Sequence, residues 1–381
     1  MKPLVLACTA AAALLLTGCR TAFPGIATAE FFPIGLYCVE RPEDFAAVRA
    51  AGFNVISGPA TEKFFDSAQS NGLKVLATPG TTAGPHFNPA RASKTIISLG
   101  AHPALWAWYL VDEPDLNLIS PAQVQAAQDF VKSHCPAKPT ALVIYKGENA
   151  RDYANLADIT MIDRYPIPWL PLANFGQHIE MARLALPTNK PLIAVIQAFD
   201  WNTDRANLGT AANAPLRAPT EAELRCMTYD ALARGANGLF YFAFDTGFWK
   251  IREHAEVWDG LRRVVGEVNE RLPMFRAEQL WWPRRVKYAE PAHRFNAALQ
   301  SAVTTRLLRV RSGNGVVPAG DYILAVNTTE RVQGFSFMLP PENSEAATVP
   351  VLGEARSVVP AAGWVADEFA PLAVHIYGPL K

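Results

Sequence analysis

An amphipathic stretch that ends at a glycine and runs at once into apolar residues recurs through the first two-thirds of the chain. Ala50-Ala51-Gly52 leads into Phe53-Asn54-Val55-Ile56, and Asn71-Gly72 into Leu73-Lys74-Val75-Leu76. Arg234-Gly235-Ala236-Asn237-Gly238 leads into Leu239-Phe240-Tyr241-Phe242. A glycine after a helix enters the left-handed region at little cost. Near-continuous apolar runs suit parallel strands covered on both faces. Eight candidate strands follow, at 32–39, 53–58, 73–79, 104–112, 140–145, 158–163, 191–199 and 238–245. Helical patterns fill the gaps, near 43–51, 61–71, 89–99, 121–133, 150–156, 174–186, 220–234 and 254–272. The seventh is the best marked, with Thr220 and Glu223 forming a capping box and Leu224, Met227, Thr228, Ala231 and Leu232 sharing one face. Eight such repeats over about 250 residues predict an α/β protein of the closed (β/α)8 TIM-barrel class. The rival doubly wound sheet lacks its mark, since no glycine-rich phosphate turn follows the first strand.

After about residue 276 the texture changes. Short alternating segments appear at Phe295–Val303, Leu307–Arg311, Tyr322–Val326, Gly334–Met338 and Leu372–Tyr377. Gly313-Asn314-Gly315 and Pro340-Pro341-Glu342-Asn343 separate them as turns. The expectation is a barrel over 30–275 and a small C-terminal antiparallel β-sandwich over 276–381, with Trp281-Trp282-Pro283 anchoring its start against the barrel.

Met1-Lys2 followed by the apolar Leu4–Leu16 has the charge and length of a secretion signal and is too short to span a bilayer. Its boundary, Leu16-Thr17-Gly18-Cys19, resembles a bacterial lipobox. That resemblance implies a signal peptide over 1–18, cleavage before Cys19, acylation of that cysteine and a linker over 19–29. The acyl chains would hold the protein on a membrane surface without spanning it. Arg20 in place of an aspartate points to the outer membrane of a Gram-negative cell envelope. Cys38, Cys135 and Cys226 remain, too widely spaced for a zinc ribbon, and read as buried small hydrophobes. Thirty-five basic residues balance 35 acidic ones, so no electrostatic case exists for nucleic acid as a partner.

The fourth apolar run, Ala104–Leu110, closes abruptly in Val111-Asp112-Glu113-Pro114-Asp115. Proline cannot continue a ladder, because it lacks an N–H and its ring fixes φ. Asp112 and Glu113 therefore belong at a strand's carboxyl end, where a barrel of this class keeps its chemistry. The loops after the late strands repeat the theme. They read Met161-Ile162-Asp163-Arg164-Tyr165-Pro166-Ile167-Pro168-Trp169, Gln197-Ala198-Phe199-Asp200-Trp201 and Phe244-Asp245-Thr246-Gly247-Phe248-Trp249. Each couples a carboxylate to a tryptophan. Sugars present apolar C–H faces, which flat aromatics cover, and hydroxyls, which Asp, Gln and Arg hydrogen-bond. A carbohydrate substrate is thus expected, lined by Tyr37, Arg164, Tyr165, Trp169, Gln197, Asp200, Trp201, Asp245 and Trp249. No metal site and no cofactor are implied: the chain has no His-Glu-x-x-His, Gly-x-Ser-x-Gly, phosphate loop or calcium loop.

Trp108-Tyr109-Leu110-Val111-Asp112-Glu113-Pro114 resembles the fourth strand of clan A (β/α)8 glycoside hydrolases, and Asp163–Pro166 resembles their sixth-strand region. The resemblance implies that Glu113 is the acid/base glutamate of a glycosidase acting on an extracytoplasmic glycan. Trp106, Trp108 and Tyr109 would help desolvate it. The chain departs from the pattern at strand seven, where Gln197 stands at the position of the usual nucleophilic glutamate. Three readings stay open. Another carboxylate acts with Glu113, Asp163 first and Asp245 or Asp200 behind it. Alternatively Asp112-Glu113 works like the paired acids of substrate-assisted N-acetylhexosaminidases, which need no strand-seven glutamate. Or the site binds sugar without cutting it.

Overall fold

The computed structural model describes residues 31–80, 83, 87–201 and 216–380. The expected signal peptide, the linker and Cys19 lie outside the described residues. Eight parallel strands close into a barrel in chain order: β1 (Ile34–Leu36), β2 (Val55–Ser57), β3 (Lys74–Ala77), β4 (Leu105–Val111), β5 (Thr140–Ile144), β6 (Ile159–Ile162), β7 (Leu192–Gln197) and β8 (Gly238–Phe242), with β8 returning to pair with β1. Around them run α1 (Phe45–Ala50), α2 (Glu62–Ser70), α3 (Pro89–Leu99), α4 (Pro121–His134), α5 (Ala150–Tyr153), α6 (Ala173–Ala185), α7 (Glu221–Ala233) and α8 (Ala255–Glu270). The capping box expected at Thr220 and Glu223 is present, and a second one joins Ser120 to Gln123 with Pro121 at the first helical position. Among the described residues no helix is long and apolar enough to cross a membrane.

The barrel interior is filled by Val55, Leu76, Ala107, Val143, Met161, Val195, Phe240 and their neighbours. Gly35 on β1 makes room for the largest of them, because a Cβ there would lie 2.3 Å from the Phe240 ring. The β3–β4 register passes from Val75↔Leu105 to Leu76↔Ala107, leaving Trp106 as an extra residue. This bulge turns Trp106 onto Phe240, with ring centroids 5.7 Å apart. Beyond it Ala107 and Tyr109 face the interior, while Trp108 is buried in the layer between strands and helices.

The C-terminal region holds two antiparallel sheets. One has the order β10 (Val286–Tyr288), β13 (Gln333–Met338), β16 (Trp364–Phe369). The other runs β17 (Val374–Leu380), β12 (Gly320–Asn327), β11 (Val303–Val310), β9 (Glu278–Leu280), and a short pair, β14 (Val349–Pro350) with β15 (Ser357–Val358), lies apart. Leu307, Ile323, Phe335, Phe337, Val365 and Tyr377 meet between the two larger sheets. The alternate residues of the four-stranded sheet, including Leu308, Leu324, Val326 and Ile376, face the other way and join the core around the barrel. Two expectations are corrected. Residues 295–302 form turns rather than a strand. Trp281 is 86% exposed, and Trp282 is buried in the sandwich core against Phe337, so this pair is not the barrel anchor.

The anchor is Arg234, at the end of α7. Its guanidinium donates to Asp230 at 3.0 Å, to Glu180 of α6 at 2.6 Å and to the Thr304 hydroxyl of β11 at 3.0 Å. Gly176 permits this, since a Cβ there would fall 1.8 Å from Asp230 Oδ2. Arg306 adds a bond to the Ala233 carbonyl at 2.7 Å. Replacing Arg234 with alanine strands the buried Asp230 carboxylate, and breaking a buried pair costs about 3–5 kcal/mol. Arg234→Ala is expected to lower the unfolding free energy by that amount in urea titration. A loss under about 1 kcal/mol would remove Arg234 as the join.

Candidate active site

Glu113 stands two residues past the end of β4 with φ at +40°, a region that side chains enter at a cost of about 1–2 kcal/mol. Its surroundings hold it there. The Glu113 carbonyl accepts from the Leu116 and Asn117 amides at 3.0 and 2.9 Å, and the Asn117 side chain donates to the Asp112 carbonyl at 3.1 Å. Asp115 accepts from the Tyr145 and Lys146 amides at 3.0 and 2.9 Å and from the Asn149 side chain at 3.0 Å. These bonds fasten the loop carrying Glu113 to the end of β5.

Across the barrel mouth, Asp163 follows β6 and is 6% exposed. Its carboxyl is an immediate neighbour of that of Glu113. Two carboxylates cannot donate to one another, and Asp163 Oδ1 is buried with no hydrogen-bond partner. A proton kept by the pair supplies the missing donor. Burial, followed by the charges of Asp112 and Asp115, pushes Glu113 up to about 7. Burial, followed by the Glu113 charge, holds Asp163 well above the usual carboxylate range. The proton belongs to the pair rather than to either residue. Burial also raises the neighbouring Asp112, opposed by the hydrogen bond that its carboxyl accepts from the Tyr109 hydroxyl.

An aromatic wall begins beside the acids. Tyr37 packs on Tyr109 and Phe242 with centroids 6.4 and 5.7 Å apart, and Tyr165 stacks on Phe242 at 5.6 Å. Trp201 lies 6.4 Å from Tyr165, and Trp169 lies 5.4 Å from Trp201. Burial and then neighbouring charges, of the acids or of another tyrosine, lift the hydroxyls of Tyr37, Tyr109 and Tyr165 well above their ordinary value. All three remain protonated, the Tyr37 hydroxyl set against Met161 Sδ and the Tyr109 hydroxyl donating to Asp112. The mouth therefore combines two acids raised by burial with tyrosine hydroxyls and flat apolar faces. Among the described residues no group of three His, Cys, Asp or Glu is arranged to hold a metal ion.

Glu113, Asp112, Asp163, Tyr37, Tyr165, Trp201 and Trp169 thus gather at one mouth. The other expected site residues divide. Arg164 turns away, lying over the Tyr145 ring at 4.5 Å and donating to Asn174 at 2.8 Å. Asp245 is half-buried, 3.7 Å from Arg41, and accepts from the Gly247 amide at 2.9 Å; Asp200 is half-buried, three residues past the end of β7. Two residues are corrected as ligand-lining groups. Trp249 is 1% exposed, stacked on His254 at 4.1 Å, and donates to the Ala243 carbonyl at 3.2 Å. Its neighbour Phe248 projects instead, 76% exposed. Gln197 is fully buried and spends its amide on the backbone: its Oε1 accepts from the Ile167 amide at 2.9 Å, and its Nε2 donates to the Ile167 and Phe199 carbonyls at 2.8 and 3.3 Å. Tyr109, rather than Trp106 or Trp108, provides the aromatic surface beside the acids. Sequence reasoning missed Asp115 and the Tyr109–Asp112 bond. The three-residue offset from Tyr109 to Asp112 on a strand about to turn was the available signal for the bond. No signal marked Asp115.

No protein-family model and no curated relative matches the sequence. Solved structures match its fold. One described as a glycoside hydrolase is 12% identical, with a TM-score of 0.55, covering 91% of this chain and 92% of its own. A β-galactosidase from the psychrophilic Marinomonas ef1 is 9% identical, with a TM-score of 0.55 and coverage of 91% and 99%. An Anoxybacillus α-amylase is 10% identical, with a TM-score of 0.56 and coverage of 92% and 98%. The chain has the (β/α)8 fold of these glycoside hydrolases, and the match extends through the β-rich C-terminal region. At such identities the likeness is one of fold.

Two predictions follow from the electrostatics. Gln197→Glu sets a carboxylate against two carbonyl oxygens, so it is expected to cost about 3 kcal/mol in chemical unfolding rather than supply a nucleophile. A stable variant with a new or faster activity would contradict the backbone role of this amide. The second concerns pH. The folded acid pair keeps a proton that the unfolded chain releases above about 4, so its contribution to stability falls as pH rises from there through about 7. Asp163→Asn removes the like-charge contact. Its melting temperature relative to the unaltered protein should be several degrees higher at pH 8 than at pH 5; an equal difference at both would show that the two acids do not share a proton.

Proposed function

We propose that the protein is a glycosidase in which Glu113 is the acid/base and Asp163 the second carboxyl. The observation that carries this reading is the meeting of Glu113, from the end of β4, and the buried Asp163, from the end of β6, at the barrel mouth beside an aromatic wall, where burial raises both carboxyls so that the pair keeps a proton. At neutral pH that proton is available for the glycosidic oxygen of a sugar laid on Tyr37, Tyr165 and Trp201. As the bond to the leaving group lengthens, Glu113 gives up the proton, and the carboxylate left on Asp163 faces the positive charge growing at the anomeric carbon. Water completes the turnover, with Glu113 now accepting its proton. The burial of Gln197 supports this assignment, since the strand-seven position has no catalytic group to offer.

A second reading is favoured by the bond from Tyr109 to Asp112. That contact orients a carboxyl next to Glu113, as a substrate-assisted reaction on a 2-acetamido sugar requires. Paired aryl glycosides with and without a 2-acetamido group separate the two. Exclusive turnover of the acetamido member supports substrate assistance, and turnover of both supports Asp163.

Glu113→Gln is expected to lower kcat about 10²–10⁴-fold on whichever glycoside the unaltered protein cleaves, with binding retained. Loss confined to KM would remove Glu113 from the chemistry. Binding of a glycan without hydrolysis of any would make the protein a carbohydrate-binding module on an enzyme scaffold.

A further inference from the structure

We infer that the cleft between the β6–α6 loop and the C-terminal sandwich is a distal glycan subsite, so that the ligand is an oligosaccharide or polysaccharide chain. The inference rests on the sugar chemistry proposed above and adds chain length to it. The cleft has a volume of about 390 Å³ and is lined by Trp169 and Pro171 on the barrel side and by Phe295, Thr329, Arg331 and Gln333 on the sandwich side. Both of its aromatic rings are open: Trp169 is 39% and Phe295 50% exposed.

Each ring is held as a platform. One face of Phe295 is covered by the Arg294 guanidinium, 4.6 Å from its centroid. The turn that follows is pinned by Asn296, which is 5% exposed, donates to Thr328 Oγ1 at 3.2 Å and accepts from the Ala298 and Gln300 amides at 2.9 and 3.1 Å. On the opposite side, the Gln197 amide holds Ile167, two residues before Trp169, by both its N–H and its carbonyl. Open aromatic faces on fixed loops suit the C–H faces of pyranose rings.

A series of touching rings links the cleft wall to the acids. Tyr165, Trp201 and Trp169 follow one another at centroid spacings of 6.4 and 5.4 Å, starting at Tyr165 beside Asp163 and ending at the cleft wall. At the far end Glu330 and Arg331 stand together, exposed and of opposite charge. A neutral, hydroxyl-rich chain suits such a rim better than an anionic one.

The test uses the whole protein with matched disaccharides and hexasaccharides of the cello-, xylo-, galacto-, malto- and chito- series. For the series that is cleaved, Phe295→Ala and Arg331→Ala are expected to lower the hexasaccharide-to-disaccharide ratio of kcat/KM. The drop should be about tenfold for Phe295→Ala, the size of one lost stacking platform. An unchanged ratio in an active enzyme overturns the subsite and leaves the glycosidase reading standing. If nothing is cleaved, calorimetry of the same hexasaccharides decides. Binding weakened about tenfold by Phe295→Ala supports the cleft while the glycosidase reading fails. Binding indifferent to Phe295, or no binding at all, overturns the cleft. Unchanged melting temperatures identify both variants as folded.

Discussion

Two carboxyl groups brought together away from water can stay there only by keeping a proton between them. That constraint organises the barrel mouth. Glu113 and Asp163 arrive from β4 and β6 and meet where neither can be fully hydrated. Their mutual repulsion when ionised destabilises the fold, and the remainder of the protein supplies the difference. Burial first, and neighbouring charge after it, keeps an acid protonated near neutrality, which is what the proposed cleavage of a glycosidic bond requires. A mouth lined by neutral amides would be more stable and chemically idle.

Holding the acids in place takes further work from the backbone. The left-handed conformation at Glu113 survives because Asp115 and Asn117 fasten the loop on both sides of it. Gln197 plays the matching part for the β6 loop. The amide accepts from Ile167 N–H and donates to Ile167 C=O at once, which an ionised carboxylate cannot do, so the residue at the usual nucleophile position is fully used by structure. One residue type therefore explains both the missing carboxylate on strand seven and the fixed path of the loop carrying Tyr165 and Trp169.

Eight strands and their helices were legible because each is written locally, as a short near-continuous apolar run after a helical pattern, some of them marked by a helix-ending glycine such as Gly52, Gly72 or Gly235. Glu113 was legible for the same reason: Pro114 stops the strand within two residues. Asp163 could be ranked first as the partner of Glu113, but their meeting could not be read, because the two are fifty residues apart in the chain and come together only after the barrel closes. Trp249 and Phe248 show the converse failure. Neighbours on a loop point in opposite directions, and nothing in Gly247-Phe248-Trp249 says which ring the core will claim. The core claims the indole, whose N–H finds the Ala243 carbonyl. Trp364–Phe369 escaped notice as a strand because its acids interrupt the apolar pattern, although Asp367 is bound by Arg356 and Tyr377.

The join between the two parts of the molecule has a consequence for the mouth. Arg234 fixes β11 against α6 and α7, and the same sheet continues through β12 into Thr328–Arg331. The sandwich cannot rotate about the barrel without breaking the buried bonds from Arg234 to Thr304 and from Arg306 to the Ala233 carbonyl, so Phe295 is held at a set position relative to Trp169. A loosely tethered domain would leave those two rings as unrelated exposed aromatics. Locked by Arg234, they become opposite walls of one cleft at the end of the ring series that starts beside the acids. The buried charge at the join and the fixed spacing of the two rings are in this way two effects of one interface.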